Sequence, residues 1–344
     1  MNIKQYTLDP ENKLSILKEL KTLNIPHWNN LSESNFVMKQ FTAGITNKVY
    51  GLMDTTGKAE TLLLRVNGRK TEEIIDRDNE LNFIWNLSKK KMGPQLYCVY
   101  PNALIYQFFD GKSISSEQMR GKKLRTLIAK QLAQFHSVPT DEVENRKDVF
   151  DVINTWSQNF KKLSTNKKQL EPNTKYSKII KQLKEMLNQE IDCTVCICHN
   201  DLLSGNIVYN QKTESIQFID FEYCSLNVPW FDLANHFCEY SGFEMEKQLL
   251  PSKEIILDFL THYLASRDNC TPSQVDERDL QQSYFAVRMF MLVSLIYWGI
   301  WALVQSQISE IDFDYTGYAK LRFDFFEQIA KEVKEEFPNK DWLF

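Results

Sequence analysis

Three side chains in one stretch of this sequence have the types and spacing that phosphoryl transfer uses. Between Cys196 and Tyr223 the chain reads C-I-C-H-N-D-L-L-S-G-N-I-V-Y-N-Q-K-T-E-S-I-Q-F-I-D-F-E-Y. Asp201 follows a strand-like run, Asn206 stands five positions on, and Asp220 closes a second apolar run made by Ile216, Phe218 and Ile219. In such a transfer a carboxylate accepts the proton of the attacking hydroxyl, while an amide and a second carboxylate hold Mg²⁺ on the phosphates. Asp201 is then the base, and Asn206 and Asp220 complete the catalytic set and bind the metal. Isolated Asp and Asn residues around turns usually cap or face water, but this combined spacing between two β-type runs is specific. His199 reads as a residue that fixes the loop by hydrogen bonding, because the neighbouring carboxylate is better placed to act as base.

The elements that must position these groups begin with alternating strand-like runs and turns: Phe36–Phe41, Thr42–Lys48, Val49–Met53, a turn at Gly57, and Thr61–Val66. They predict a small antiparallel lobe. Its first hairpin would cover phosphates, with Gly44 allowing close backbone approach and Thr46 and Asn47 as local donors. Arg65 sits in the strand L-L-L-R-V, and a helix is predicted from Glu72 to Lys91 carrying Glu80. A strand cation facing a helical Glu steadies nucleotide phosphates; the plainer alternative is an unrelated surface Arg and Glu. Two short strands after Gly93-Pro94 end in I-Y-Q-F-F-D-G, which places Gln107 and Phe108 by the adenine as the chain enters a larger lobe. Lys123–His136 reads as helix, and the polar stretch after Pro139 reads as a loop or insertion.

The last third is helical. Phe285–Val304 is interrupted only by Arg288 and approaches the length of a membrane span, yet Arg288 and Gln305 favour a central buried helix. Trp298 and Trp301 are three apart and share a helix face, with Phe313 and Tyr318 on the next element. Such rings beside carboxylates suit a small organic cation, at about 1–2 kcal/mol per desolvated contact. Core packing is the plainer reading of the same rings.

A chain of 344 residues with 43% hydrophobic content suits two lobes with sizeable cores. Its net charge of -4 gives no reason to expect a nucleic-acid partner. The N-terminal residues lack the apolar core of a secretory signal, so a cytoplasmic location is expected. Seven cysteines in a chain of this size read as free thiols, and Cys193, Cys196 and Cys198 lack a second Cys or His pair for zinc, so they read as core.

The chain resembles the choline/ethanolamine kinase family. The resemblance rests on G-I-T-N-K at Gly44–Lys48, L-L-R-V-N-G at Leu63–Gly68, K-T-E-E-I-I-D-R-D-N-E at Lys70–Glu80 and G-P-Q-L-Y-C at Gly93–Cys98. It continues in H-N-D-L-L-S-G-N-I at His199–Ile207, I-D-F-E-Y at Ile219–Tyr223, F-D-L-A-N-H-F at Phe231–Phe237, and W-G-I-W-A-L-V-Q with I-D-F-D-Y-T-G-Y-A-K-L-R-F at Trp298–Phe323. It implies an α+β, protein-kinase-like two-lobed fold, with a small antiparallel β N-lobe and a larger, mainly helical C-lobe. Residues 1–109 would form the ATP-binding lobe, including an N-terminal extension at 1–34, and residues 110–344 the catalytic and substrate-binding lobe. ATP and Mg²⁺ are the implied cofactors and an amino alcohol the acceptor. Glu222 becomes a further metal contact; Tyr223, Glu239, Trp298, Trp301 and Tyr318 surround the substrate ammonium; Asp232 braces the catalytic loop. Stable membrane insertion is not implied, and a homodimer is left open.

Ethanolamine is the favoured acceptor, because several segments are worded like ethanolamine kinases. Choline kinases tend to carry Gln at the place of Leu203 and an aromatic near Glu244, for which Phe243 is a shifted substitute. A primary ammonium offers three donors and rewards carboxylates such as Glu239, whereas a quaternary one depends on a full aromatic cage. A choline or dual-specificity kinase is the alternative. An aminoglycoside-phosphotransferase-like enzyme and a catalytically silent binding protein are more distant ones.

Overall fold

A computed structural model describes residues 2–41, 47–68, 76–140, 148–165, 167–342 and 344. The chain divides into two compact units, Met1–Gly111 and Lys112–Phe344.

The first unit contains β1 (Asn2–Ile3), α1 (Lys13–Thr22), β2 (Phe36–Phe41), β3 (Asn47–Asp54), β4 (Leu62–Asn67), α2 (Arg77–Lys89), β5 (Leu96–Tyr100) and β6 (Ala103–Gln107). The strands form one sheet in the order β1-β5-β6-β4-β3-β2, antiparallel except for the β1–β5 pair. Alternation along β4 sends Leu62 and Leu64 into a core with Leu52 and Ile105, and puts Arg65 on the opposite face. The segment before the sheet supplies Ile16, Leu17, Leu20 and Trp28 to the same core. Each such side chain contributes about 1.5–3 kcal/mol when fully buried, so this N-terminal stretch is integral to the unit. Helix α2 begins at Arg77 because Asp76 caps it, accepting the Asn79 N–H at 3.0 Å. The first residues of the predicted Glu72–Lys91 helix lie outside the described residues.

The second unit contains β7 (Lys112–Ser113), α3 (Ser116–Arg120), α4 (Lys122–His136), α5 (Val149–Leu163), α6 (Lys167–Glu190) and β8 (Cys196–Cys198). It continues with β9 (Ile207–Asn210), β10 (Ser215–Phe218), β11 (Ser225–Asn227), α7 (Pro229–Cys238), α8 (Lys253–Arg267), α9 (Glu277–Ile308) and α10 (Tyr315–Glu336). Helix α9 is the centre, with α5, α6, α7, α8 and α10 packed on it. By length and composition it could cross a membrane, but 94% of its most apolar stretch is buried inside the protein, as suits a helix apolar on all sides. Arg288, the charge that interrupts it, is paired with Glu336 at 3.0 Å.

The stretch after Pro139, expected as a loop or insertion, is helical in part. Residues 141–147 lie outside the described ones, but Val149–Leu163 is helical and buries Val149, Phe150, Ile153, Trp156 and Phe160. Phe150, Ile153, Trp156 and Phe160 recur every three or four residues, a helical face diluted by the polar residues between them.

Candidate active site

The register of one hairpin brings two of the three chemical groups together. Strands β9 and β10 pair antiparallel with Ile207 opposite Phe218. Asn206 and Ile219, the next residues outward, are therefore neighbours, and the Ile219 N–H donates to the Asn206 carbonyl at 3.0 Å. Asp220 follows immediately, with a left-handed φ of 65° that Asp tolerates better than most residues. Asn206 then reaches the third group. Its Nδ2 donates to the Asp201 carbonyl at 2.8 Å and to Asp201 Oδ2 at 3.0 Å. Both amide hydrogens are thereby used, leaving Oδ1 as the group's acceptor.

The loop carrying Asp201 is held from two sides. Asn200, also left-handed with a φ of 64°, donates through Nδ2 to the Tyr223 carbonyl and the Ser225 hydroxyl, both at 2.8 Å. His199 donates through Nε2 to the Ile219 carbonyl at 2.8 Å, and its Nδ1 accepts the Asp201 N–H at 3.3 Å. Burial pushes the His199 pKa down, which keeps the ring neutral and lets one nitrogen donate while the other accepts. From the other side, one face of α7 runs along the loop at helical spacing. Asp232 accepts the N–H of His199 at 2.7 Å and of Asn200 at 2.6 Å; Asn235 Nδ2 donates to the Asn200 carbonyl at 3.3 Å; His236 Nδ1 bonds the Leu202 carbonyl at 3.0 Å. His136 adds its Nε2 to Asp232 at 3.0 Å and meets the Tyr263 hydroxyl through Nδ1 at 2.8 Å.

The Asp201 pKa is raised well above its ordinary value, first by burial and then by the negative charges of Glu239, Asp220 and Glu222, with the Asn206 hydrogen bond opposing them. All four carboxylates thus belong to one electrostatic site. Asp201 Oδ1 has no hydrogen-bond partner among the described residues.

Aromatic rings form a run beside these acids. Ring centroids connect Tyr223 to Trp298 at 5.3 Å, Trp298 to Trp301 at 5.4 Å and Trp301 to Tyr315 at 5.8 Å. The run continues from Tyr315 to Phe313 at 4.9 Å, Phe313 to Tyr318 at 5.7 Å and Tyr318 to Phe243 at 6.0 Å. Trp298 donates its indole N–H to Asn235 Oδ1 at 2.7 Å, and Trp301 donates to the Tyr223 hydroxyl at 3.0 Å. With their polar edges engaged, the rings offer π-faces. Phe243 stands beside Tyr318 and extends the aromatic run. Glu239, at the end of α7, has its Oε1 paired with Arg322 Nη2 at 2.9 Å.

In the first unit, Arg65 and Glu80 form a two-pronged buried pair at 2.5 and 2.8 Å, which excludes an incidental surface contact. Arg77 Nη1 joins Glu80 at 2.9 Å, and Arg77 Nη2 donates to Asn47 Oδ1 at 3.1 Å. Burial pushes Glu80 up, but the charges and hydrogen bonds of Arg65 and Arg77 hold it below the usual carboxylate range. Asn47 Oδ1 thus accepts from Arg77. Gln107 closes β6, exchanging hydrogen bonds with Gln95 at 2.9 Å through the backbone and at 3.3 Å through Oε1. Gly44 and Thr46 lie outside the described residues.

Sequence reading missed Arg322, Asn235, Asn200 and His136. Arg322 stands four residues after Tyr318, a helical spacing that could have flagged a shared face. His136, Cys196 and Cys198 place ligand atoms within 4.8 Å of one another. Their groups are engaged otherwise: His136 by Tyr263 and Asp232, and Cys198 Sγ by the carbonyls of Asn227 and Val228. No disulfide forms among the described residues.

Comparisons with known proteins identify the family. A family model described as choline/ethanolamine kinase matches residues 38–327. The chain is 34% identical to the probable ethanolamine kinase A of Dictyostelium discoideum, over 97% of this chain and 96% of that protein. In structure it resembles an ethanolamine kinase of Plasmodium vivax, with a TM-score of 0.76 and 26% identity over 93% of this chain and 95% of that one. A choline kinase from Cryptosporidium parvum shares the fold, with a TM-score of 0.79 at 24% identity over 94% of this chain and 97% of that one. On a match that spans most of its length, the chain belongs to the choline/ethanolamine kinase family.

Proposed function

We propose that this protein transfers the γ-phosphoryl group of ATP to the hydroxyl of ethanolamine, giving phosphoethanolamine and ADP. The observation that carries this reading is the hydrogen-bonded Asp201–Asn206 pair beside Asp220, in a site that also holds Glu239 and an aromatic run. Asp201 takes the hydroxyl proton on its open Oδ1. The hydroxyl oxygen forms the new bond to the γ-phosphorus as the bond to the oxygen bridging to ADP breaks. Asn206 Oδ1, Asp220 and Glu222 are hard oxygen donors, the kind that suits Mg²⁺, and the fixed Asn206 amide leaves its oxygen available. When bound there, Mg²⁺ neutralises phosphate charge.

Residues 1–109 act as the ATP-binding lobe and 110–344 as the catalytic and substrate-binding lobe in this reading. Gly44, Thr46 and Asn47 cover the phosphates, Arg65 held by Glu80 meets them, and Gln107 reads the adenine edge. Tyr223, Glu239, Trp298, Trp301, Phe313 and Tyr318 receive the ammonium. The product is a headgroup precursor, the first step of the CDP-ethanolamine route to phosphatidylethanolamine, made in the cytoplasm without membrane insertion.

Choline is the second reading, favoured by the unbroken aromatic run that includes Phe243. Steady-state ADP release with ATP and Mg²⁺, comparing kcat/KM for ethanolamine and choline, separates the two. A preference for ethanolamine supports the proposal, a preference for choline replaces it, and turnover of neither refutes the acceptor class.

A further inference from the structure

Arg322 is 2% exposed and lies on α10 between a carboxylate and a ring of the aromatic run. Its Nη2 donates to Glu239 Oε1 at 2.9 Å, its Nε donates to the Tyr318 hydroxyl at 2.8 Å, and Nη2 also reaches that hydroxyl. Its Nη1 has no hydrogen-bond partner among the described residues. A buried guanidinium that is short of one partner is expensive to keep, and stability alone does not account for it.

The geometry has a consequence for the charge of the site. Arg322 and Glu239 sum to zero, so an arriving cation is not drawn by net charge at this pair. What Glu239 still offers is Oε2, which has no hydrogen-bond partner among the described residues, in a side chain that is 12% exposed. That oxygen rewards a cation only through an N–H donor, and a quaternary ammonium has none.

We propose that Arg322 determines the specificity of the ammonium site. By occupying Oε1 and cancelling the charge of Glu239, it turns a counter-ion that would attract any cation into a single hydrogen-bond acceptor. The site then favours ammonium groups that carry an N–H over trimethylammonium groups. This rests on the reading of Glu239 as part of the ammonium site. Arg322 acts through Glu239 and Tyr318 and is a positioning residue.

The test is the ratio of kcat/KM for ethanolamine to that for choline in wild type, Arg322→Gln and Arg322→Lys. Gln removes the charge and leaves Glu239 a bare carboxylate; Lys keeps the charge but cannot span both partners. A charge-assisted hydrogen bond corresponds to roughly 10- to 100-fold in binding. The ratio should therefore fall about 10-fold or more in Arg322→Gln, mainly through a lower KM for choline at the bared Glu239 carboxylate with the KM for ATP unchanged, and fall less in Arg322→Lys. Where turnover is too slow, calorimetric Kd values for the two amino alcohols give the same ratio. Should Arg322→Gln fail to fold, Tyr318→Phe removes the hydroxyl that holds Nε and should shift the ratio in the same direction. An equal loss for both substrates, with the ratio unmoved within about twofold, overturns the inference and leaves the kinase reading standing. Wild-type turnover of neither amino alcohol overturns both.

Discussion

Replacing Asp232 with Asn should loosen the loop that carries Asp201 without touching any reacting group. Asp232 is fully buried, and its carboxylate accepts from the backbone of His199 at 2.7 Å, the backbone of Asn200 at 2.6 Å and His136 Nε2 at 3.0 Å. Burial pushes its pKa up, but the hydrogen bond and charge of His136, then the charge and backbone bond of His199, hold it below the usual range. Asn has the same shape and one oxygen. If that oxygen serves His199 and His136, which share Oδ2 now, the amide NH₂ faces the Asn200 N–H, donor against donor. One buried donor is left unpaired at about 1–3 kcal/mol, and the two remaining bonds weaken by about 1 kcal/mol each as the charge is lost. The total, about 3–5 kcal/mol, matches the usual cost of breaking a buried pair. Expressed as local opening, it should speed amide exchange at His199 and Asn200 by about 100- to 3000-fold. Because Asp201 is the next residue, kcat should fall while the KM for ATP holds. Exchange within about fivefold of wild type, with kcat within twofold, would refute the idea that this carboxylate holds the loop.

Packing, ion pairing and pH supply three more tests. At Gly299 an added Cβ would lie 2.4 Å from Phe323 Cε1, and the Phe323 ring is stacked on Tyr176 at 4.0 Å, so Gly299→Ala should lower stability by about 1–3 kcal/mol, read as a lower Tm. Arg65→Met leaves Glu80 buried with one of its two cations gone and should cost about 3–5 kcal/mol in thermal unfolding, with much of it recovered in the Arg65→Met, Glu80→Leu double variant. Asp201 must be ionised to accept a proton and its pKa is raised, so activity should be lost as pH falls through a value above the ordinary Asp range. Glu239→Gln removes the largest of the charges acting on it and should move that acid limb to lower pH in the kcat/KM profile.

What could be read in the sequence was what short-range geometry decides. Asn206 and Asp220 flank a hairpin whose two strands alternate apolar residues, so their approach follows from local register. Trp298 and Trp301 share a face by helical spacing alone. The α7 face of Asp232, Asn235, His236 and Glu239 is also periodic, yet each residue bonds a group more than thirty positions away, apart from the hairpin logic, and its chemistry appears only once α7 is laid along the catalytic loop. Arg322 and Glu239 are 83 residues apart, and no local pattern links them. Helix α5 was missed for a different reason. Its apolar face is present, but the polar residues between Val149 and Phe160 hide it from a reading by composition.

The gathering of Asp201, Asp220, Glu222 and Glu239 in one electrostatic site is costly, since each charge makes the others harder to keep. Under the proposed roles, the reaction itself brings the compensating charge: an ammonium with one substrate and a divalent ion with the other. Each arriving cation favours the ionised form of Asp201. The base is then strongest as an acceptor of a tightly held proton when the site is empty, and most fully ionised when both substrates are in place. Arg322 fits this scheme as a fixed guanidinium paired with Glu239, on the side of the aromatic run. There it cancels the carboxylate that the ammonium must approach, so recognition at that end depends on hydrogen bonding and ring faces, while net charge is kept for the acids proposed to hold the metal.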